Sequence, residues 1–249
     1  MCGRYFPRSD KQRIAEAFAA WGGGDFILPE ACYNVAPSTF QPVIRLGRET
    51  HEREMALMRW GLVPHFAKSL EAFKGFSTIN ARAESVETSA TWRVPFARRR
   101  CLVPADGFYE WALLAPEAHD GTESGKPAVV ETKKKQGKPA KQPYAFAMKD
   151  GRPFAFAGLW DAWKSERGDW LQSFSIVTTE GNEVMAGVHD RMPVIVQARD
   201  YERWLSRDEE QRPPVDLLRP YPAEEMRRWE AHKDVGNVRN DSVALLNSQ

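Results

Sequence analysis

"YAFAMKDGRPFAFAGLW" occupies residues 144–160, and its reading decides the fold. Two apolar, aromatic-rich runs flank Asp150-Gly151, a dipeptide suited to the positive φ of a tight hairpin turn. The segment therefore predicts two strands turning back on each other at 150–151. Outward toward the N-terminus, "RCLVPADGFYEWA" (100–112) supplies two more short strands around a Pro-Ala-Asp-Gly turn. "PVIRL" (42–46) and "REMALMRW" (53–60) form another pair joined by a polar turn. Outward toward the C-terminus, "FSIVTT" (174–179) and "MPVIVQ" (192–197) read as strands. Helices are fewer. Ser9 and Gln12 form a capping box before Ile14, Ala15 and Phe18 at helical spacing, and Gly22-Gly23-Gly24 ends that helix. "TSATWRVPFARRR" (88–100) has a short helical part interrupted by Pro95. "DYERWL" (200–205) and "AEEMRRWEAH" (223–232) also read as helices. Many short strands without regular βαβ alternation point to the α+β class. The expectation is a single β-rich domain over 1–249, with a mostly antiparallel, barrel-like sheet and surrounding helices. Residues 113–142 are polar, lysine-rich and Gly/Pro-bearing, and read as a partly disordered surface insertion.

Composition narrows the function classes. The 249 residues are 42% apolar and 28% charged, an ordinary globular profile able to bury a core without staples. No apolar run is long enough to span a bilayer, and the N-terminus lacks a signal-peptide apolar region, so a cytoplasmic location is expected. Net charge is +1, from 35 basic and 34 acidic side chains, which gives no support to a general polyanion binder. The clusters Arg98-Arg99-Arg100 and Lys133-Lys134-Lys135 read as solvated runs. The three cysteines, Cys2, Cys32 and Cys101, are unclustered. They suit neither a disulfide framework nor a zinc site, and no metal or other cofactor is expected.

"MCGRY" opens the chain. Cysteine is small, so removal of Met1 is expected, and Cys2 would then carry a free α-amine beside its thiol. The ordinary α-amine pKa of about 7.7–8.0 leaves a useful neutral fraction near pH 7. An amine and a thiol on one residue can do chemistry that neither does alone.

The candidate partners of Cys2 lie in a series of ordered motifs: "MCGRY", "YNVAPS" (33–38), "RWGLVPHF" (59–66), "INARAE" (79–84), "RCLVPADGFYEW" (100–111), "FAFAGLWD" (154–161), "FSIVTT", "VHDRMPVI" (188–195) and "VGNVRND" (235–241). In this order, nearly end to end, they resemble the SRAP family, the SOS response-associated peptidases understood as abasic-site processing proteins. The resemblance implies covalent capture of abasic sites in single-stranded DNA, with a link to the DNA damage response that the family name suggests. The amine attacks the open-chain aldehyde of the abasic sugar to give a Schiff base, and the thiol closes a thiazolidine ring. Weak lyase and self-processing peptidase activities go with it.

The resemblance implies a role for each candidate. Cys2 is the nucleophile. Glu110, which in a strand shares a face with Phe108, is the proton shuttle; an apolar neighbourhood suits a carboxyl to that work. His189 protonates the sugar ring oxygen, and Asn80 hydrogen-bonds Cys2 or the sugar, though by pattern alone "NARAE" suits a helix cap. Arg4, Arg82 and Arg191 contact phosphates. Trp60 and Pro37 stack on or wedge between bases, with Asn34 and Thr178 as further DNA contacts. Cys101 reads as a buried strand residue. Other readings stay open on the motif alone: an N-terminal-nucleophile amidase using the Cys2 thiol, a non-covalent single-strand binder, or a lysine-based β-lyase. The expected partner is single-stranded DNA bearing abasic sites. A monomeric, stand-alone domain without membrane association is expected, placed at the nucleoid when on DNA.

Overall fold

The turn at Asp150-Gly151 forms, but the strands it joins part company. In this computed structural model, which describes residues 2–20, 31–73, 77–114, 140–208 and 212–247, the elements run in the following order. They are β1 (Arg4–Phe6), α1 (Lys11–Phe18), β2 (Phe40–Leu46), β3 (Arg53–Trp60), α2 (Leu70–Phe73), β4 (Asn80–Arg82), α3 (Arg93–Arg98), β5 (Arg100–Ala105) and β6 (Gly107–Leu113). There follow β7 (Lys141–Met148), β8 (Phe154–Lys164), β9 (Trp170–Glu180), β10 (Arg191–Pro193), β11 (Ile195–Val196), α4 (Tyr201–Leu205) and β12 (Met226–Glu230), with short 3-10 turns between. Strands β9, β3, β2, β5 and β8 form a ring that the β8–β9 pairing closes into a five-stranded barrel, with β4, β10 and β11 attached. A second sheet runs β1-β6-β7-β12. Most pairings are antiparallel; β3–β9 and β4–β9 are parallel. No described helix is long and apolar enough to cross a membrane.

The hairpin expectation at 150–151 is thus corrected. Gly151 takes φ +72 and turns the chain, but β7 belongs to the second sheet and β8 to the barrel. Each finds an earlier partner. β8 lies along β5 (Ala105↔Phe154), and β7 lies along β6 (Phe108↔Phe146). The β5–β6 and β7–β8 arms are one long ribbon bent at a corner, where the strands change sheets. Asp106 sits at the bend on one arm and residues 149–153 bulge on the other. Both arms are nearly continuous apolar runs because both faces are covered.

Three packed layers of side chains follow from this. The barrel interior holds Val43, Met58, Trp60, Cys101, Val103, Phe156 and Phe174, all fully buried. The second sheet lays Tyr5, Phe108 and Phe146 against it: Tyr5 meets Trp60 edge-on at 5.2 Å between ring centroids, and Phe108 meets Phe156 at 6.0 Å. Burying each such side chain contributes roughly 1.5–3 kcal/mol. The far face of that sheet, with Phe6, Tyr109 and Ala145, is covered by Ala231, Val235 and Leu245 from the C-terminal segment. On the barrel's outer wall, α1, α3 and α4 bring Ile14, Phe18, Phe96, Tyr201 and Trp204 onto Ile44, Leu102 and Ala157.

Several local expectations change. The cap of α1 is Asp10, whose carboxylate accepts from the Arg13 amide at 2.8 Å; Ser9 is turned to Asp106 instead. That helix ends at Phe18 with Ala19 left-handed, and Gly22-Gly23-Gly24 lie outside the described residues. Pro95 stands in the first turn of α3, where no amide partner is missed, and does not interrupt it. Residues 192–197 split into β10 on β9 and β11 on β8. Residues 226–230 are strand, not helix: the open edge of β7 supplies a ladder from Met226↔Met148 to Glu230↔Tyr144 that outweighs local helix propensity. Asn80 is in a strand, with a 3-10 turn starting only at Ala83. Of the 113–142 segment, residues 115–139 lie outside the described residues, while its ends are paired strand, Leu113↔Lys141.

Candidate active site

Three of the sequence-selected residues converge where the second sheet meets the barrel. Cys2 precedes β1, an edge strand registered on β6 by Arg4↔Tyr109, Tyr5↔Phe108 and Phe6↔Gly107. It is fully buried among Tyr5, Trp60, Phe108 and Ile176. Glu110 lies on β6, on the same barrel-facing side as Phe108, and is 3% exposed. Asn80 arrives from the barrel. Its register opposite Ile176 turns its side chain toward the cluster that holds Cys2, while Ala81, opposite Val177, faces the outer wall. Asn80 is 7% exposed, and neither end of its amide has a hydrogen-bond partner among the described residues. Burial, and then the Glu110 carboxylate, pushes the Cys2 thiol well above its ordinary value.

The flanking residues form a rim. His189 follows a short 3-10 turn, and its Nδ1 accepts from the Arg191 amide at 2.9 Å. In the neutral ring this places the proton on Nε2. The Asp190 carboxylate lies 2.9 Å from the same Nδ1. Arg191 grips Glu84 with both terminal nitrogens and donates to the Thr178 carbonyl at 2.6 Å; its Nε is buried without a partner. Glu84 is correspondingly held below the usual carboxylate range. Thr178 is fully buried beneath this pair, and Arg82 beside it is exposed. Arg4 is half-buried, donates to the Gly3 carbonyl at 2.9 Å, and holds its Nε without a partner; burial draws its pKa down. Among the described residues, Arg4 Nε, Arg191 Nε, Asn34 Oδ1 and both ends of the Asn80 amide are buried without a hydrogen-bond partner. Such orphaned groups carry a desolvation cost that a bound group or water can recover.

A family model described as SOS response associated peptidase (SRAP) matches residues 1–238. The chain belongs to the SRAP family. It is 33% identical over 253 residues to the abasic site processing protein YoqW of Bacillus subtilis, with all of both chains covered. It is 31% identical over 218 residues to the abasic site processing protein HMCES of Mus musculus, covering 81% of this chain and 59% of that one. Among solved structures, a protein from Bacteroides thetaiotaomicron superposes with a TM-score of 0.74 at 25% identity, covering 94% of this chain and 93% of that one.

Not every residue selected from the SRAP motifs reaches the rim. Trp60 is fully buried in the barrel, stacked near-parallel on Phe174 at 6.4 Å, with its Nε1 donating to the Ile79 carbonyl. It has no free face for a base; its place is to hold the strand that leads to Asn80. Asn34 spends its Nδ2 on the carbonyls of Val235, Asn237 and Asn240, at 3.2, 3.0 and 2.9 Å, tying down the C-terminal segment, and its Oδ1 is buried. Pro37 is half-buried in a turn that Arg59 pins through the Ser38 hydroxyl at 2.8 Å. Cys101 is buried in β5 as expected, and Cys32, pushed up to about 11 chiefly by burial, is no ready nucleophile.

The exposed aromatic of "RWGLVPHF" is Phe66, at 50%. It rides on a strap, residues 62–73 with 77–78, whose described parts lie outside β8 and β9. Asp161 accepts from the His65 amide and lies against His65 Nδ1, both at 3.0 Å; Ser173 accepts from the Val63 amide at 2.8 Å. Ser175 donates to the Thr78 carbonyl, and Trp163 Nε1 to the Ala67 carbonyl at 2.7 Å. Position in the motif favoured Trp60; only the anchoring on both sides of Phe66 shows which ring is held out to solvent.

Proposed function

We propose that the protein processes abasic sites in single-stranded DNA by forming a covalent adduct at Cys2 once Met1 is removed. The observation that carries this reading is the orphaned Asn80 amide, turned toward the buried cluster of Cys2, which the Glu110 carboxylate also reaches. Two aligned relatives bearing abasic-site processing names support the substrate class.

The α-amine of Cys2 adds to the aldehyde carbon of the ring-opened sugar, and loss of one water leaves an imine. The S–H then adds across C=N, sulfur to carbon and proton to nitrogen, closing a thiazolidine. Glu110 carries protons to and from the departing oxygen. The Nε2–H of His189 donates to the sugar ring oxygen, opening the ring. Arg4 and Arg82 meet the flanking phosphates, and Phe66 offers a face to a neighbouring base. Arg191 reaches a phosphate only by releasing Glu84, and it serves first to hold the His189 loop. Lyase and self-processing activities would draw on the same imine and the same thiol.

The test is direct. The purified protein is incubated with an oligonucleotide bearing one abasic site, denatured, and digested to locate the modified residue. The expected result is a denaturation-resistant band labelled at residue 2, absent in Cys2→Ala. Labelling on a lysine, or an undiminished band in Cys2→Ala, overturns the reading.

A further inference from the structure

Asp106 is 2% exposed at the corner between β5 and β6, and the reaction above makes no use of it. Its carboxylate gathers the chain that leaves β1. One oxygen accepts from the amides of Arg8 and Ser9, at 2.8 and 2.9 Å. The other accepts from the Ser9 hydroxyl at 2.8 Å and lies 3.6 Å from Arg8 Nε. The Asp106 amide itself donates to the Phe6 carbonyl at 2.9 Å. Next to it, Gly107 lacks the Cβ that would come within 2.1 Å of the Phe6 ring and 2.5 Å of the Phe146 carbonyl, so β1 passes directly against the corner.

β1 needs this anchor. It is three residues long and pairs with β6; beyond the packing of Tyr5 and Phe6, its other backbone pairing among the described residues is the bridge Tyr5↔Val35. A terminal strand so short frays unless it is tied down. Asp106 ties its far end, four residues before Glu110 on the same arm. Continuing the register one step past Arg4↔Tyr109 sets Gly3 opposite Glu110, with Cys2 adjoining. One carboxylate thus sets the distance between the residue that reacts and the residue that moves its protons.

We propose that Asp106 is a positioning residue for the Cys2 reaction, acting through β1. The inference rests on the function proposed above. It predicts a larger defect in the chemical step than in DNA recognition, because of the residues proposed to meet DNA only Arg4 lies on β1, while Arg82, Arg191 and Phe66 are on other elements. Misplacing a reacting atom by a fraction of an ångström is enough to lower the rate about tenfold.

The experiment compares full-length, Met1-processed wild type with Asp106→Ala, Asp106→Asn and Ser9→Ala. Adduct formation on an oligonucleotide with one abasic site is followed over a range of DNA concentrations, well below each variant's unfolding temperature. Asp106→Ala is expected to lower the rate at saturating DNA about tenfold while the half-saturating concentration rises by less, through Arg4 alone. Asp106→Asn keeps an acceptor for both backbone amides and recovers most of the rate. Ser9→Ala, which loses one hydroxyl contact and keeps the fold, falls between. A full saturating rate in both Asp106→Ala and Ser9→Ala overturns the proposal, as does a loss that appears only in half-saturation. Wild-type protein that forms no adduct at residue 2 overturns the function and this inference together; normal wild-type reaction with unaffected variants overturns this inference alone.

Discussion

Buried polar groups on β8 and β9 and the one on neighbouring β4 are treated oppositely. On the outer face of β8 and β9, Asp161, Ser173 and Ser175 are fully buried, and each is bonded to the strap that carries Phe66, with Arg99 closing on Asp161 as well. Toward the second sheet, Asn80 is buried with no partner at either end of its amide among the described residues. Burial with opposite satisfaction separates scaffold from site here. Outside, the fold recovers the desolvation cost within itself; inside, it leaves that recovery to a bound group.

The contrast can be broken by removing a polar group from each side. Asp161→Ala should give the largest loss of stability, about 3 kcal/mol, because the His65 and Ala162 amides lose their acceptor along with Arg99. Arg99 is one-third exposed and can turn to water, which keeps the figure at the lower end for a broken buried pair. Urea unfolding measures it, and a loss under about 1 kcal/mol would mean the strap does not depend on this anchor.

Asn80→Leu should do the reverse: adduct formation slows roughly 10- to 100-fold, while unfolding free energy is unchanged or rises by up to about 1 kcal/mol, since an unpaired buried amide is replaced by apolar volume. Unfolding and adduct rate measured on the same preparation test this. A destabilisation like that of Asp161→Ala would show that the amide is structurally engaged after all.

Titration sharpens the inner side. Burial holds the Cys2 and Cys101 thiols above their ordinary value, with Glu110 adding to the effect at Cys2. A thiol raised in the fold contributes stability that is fully present below the unfolded value, about 8.5, and lost as pH rises beyond it. There the native state binds more protons than the unfolded one, so stability should fall by up to about 1.4 kcal/mol per pH unit for each thiol. Urea midpoints taken across the alkaline range check the slope; Cys32, pushed up to about 11, adds to it, so Cys101→Ala should remove roughly a third of the thiol part of it below that pH. The smallest effect is Ser173→Ala, which leaves the Val63 amide unpaired and costs about 1 kcal/mol with no change in adduct rate. A slowed reaction there would mean that the strap and the site are coupled.

Much of this was legible from residue order. The apolar runs at 42–46, 53–60, 144–148 and 174–179 all became strands, because alternating or continuous apolar patterns of that length suit a covered sheet and little else. The aminothiol at residue 2 and the motifs bearing Asn80, Glu110 and His189 pointed to the cluster. What misled was local signal without knowledge of partners. Asp150-Gly151 does turn, but whether the strands on either side pair with each other depends on β5 and β6, some forty residues upstream. Residues 226–230 carry helix-forming side chains yet became an edge strand, since β7 had an open ladder to fill. Trp60 and Phe66 share one motif, and their side chains alone cannot say which is buried.

The amino-acid order by itself determined the strand-rich class, the reactive pair latent in Cys2, and family membership, all of which follow from side-chain chemistry and spacing along one chain. Tertiary structure decided the corner that divides the ribbon between barrel and sheet, the burial of the Cys2 thiol, and which polar groups are left unsatisfied. Those depend on segments far apart in sequence meeting in a medium from which water is excluded, and no local pattern encodes which partner arrives.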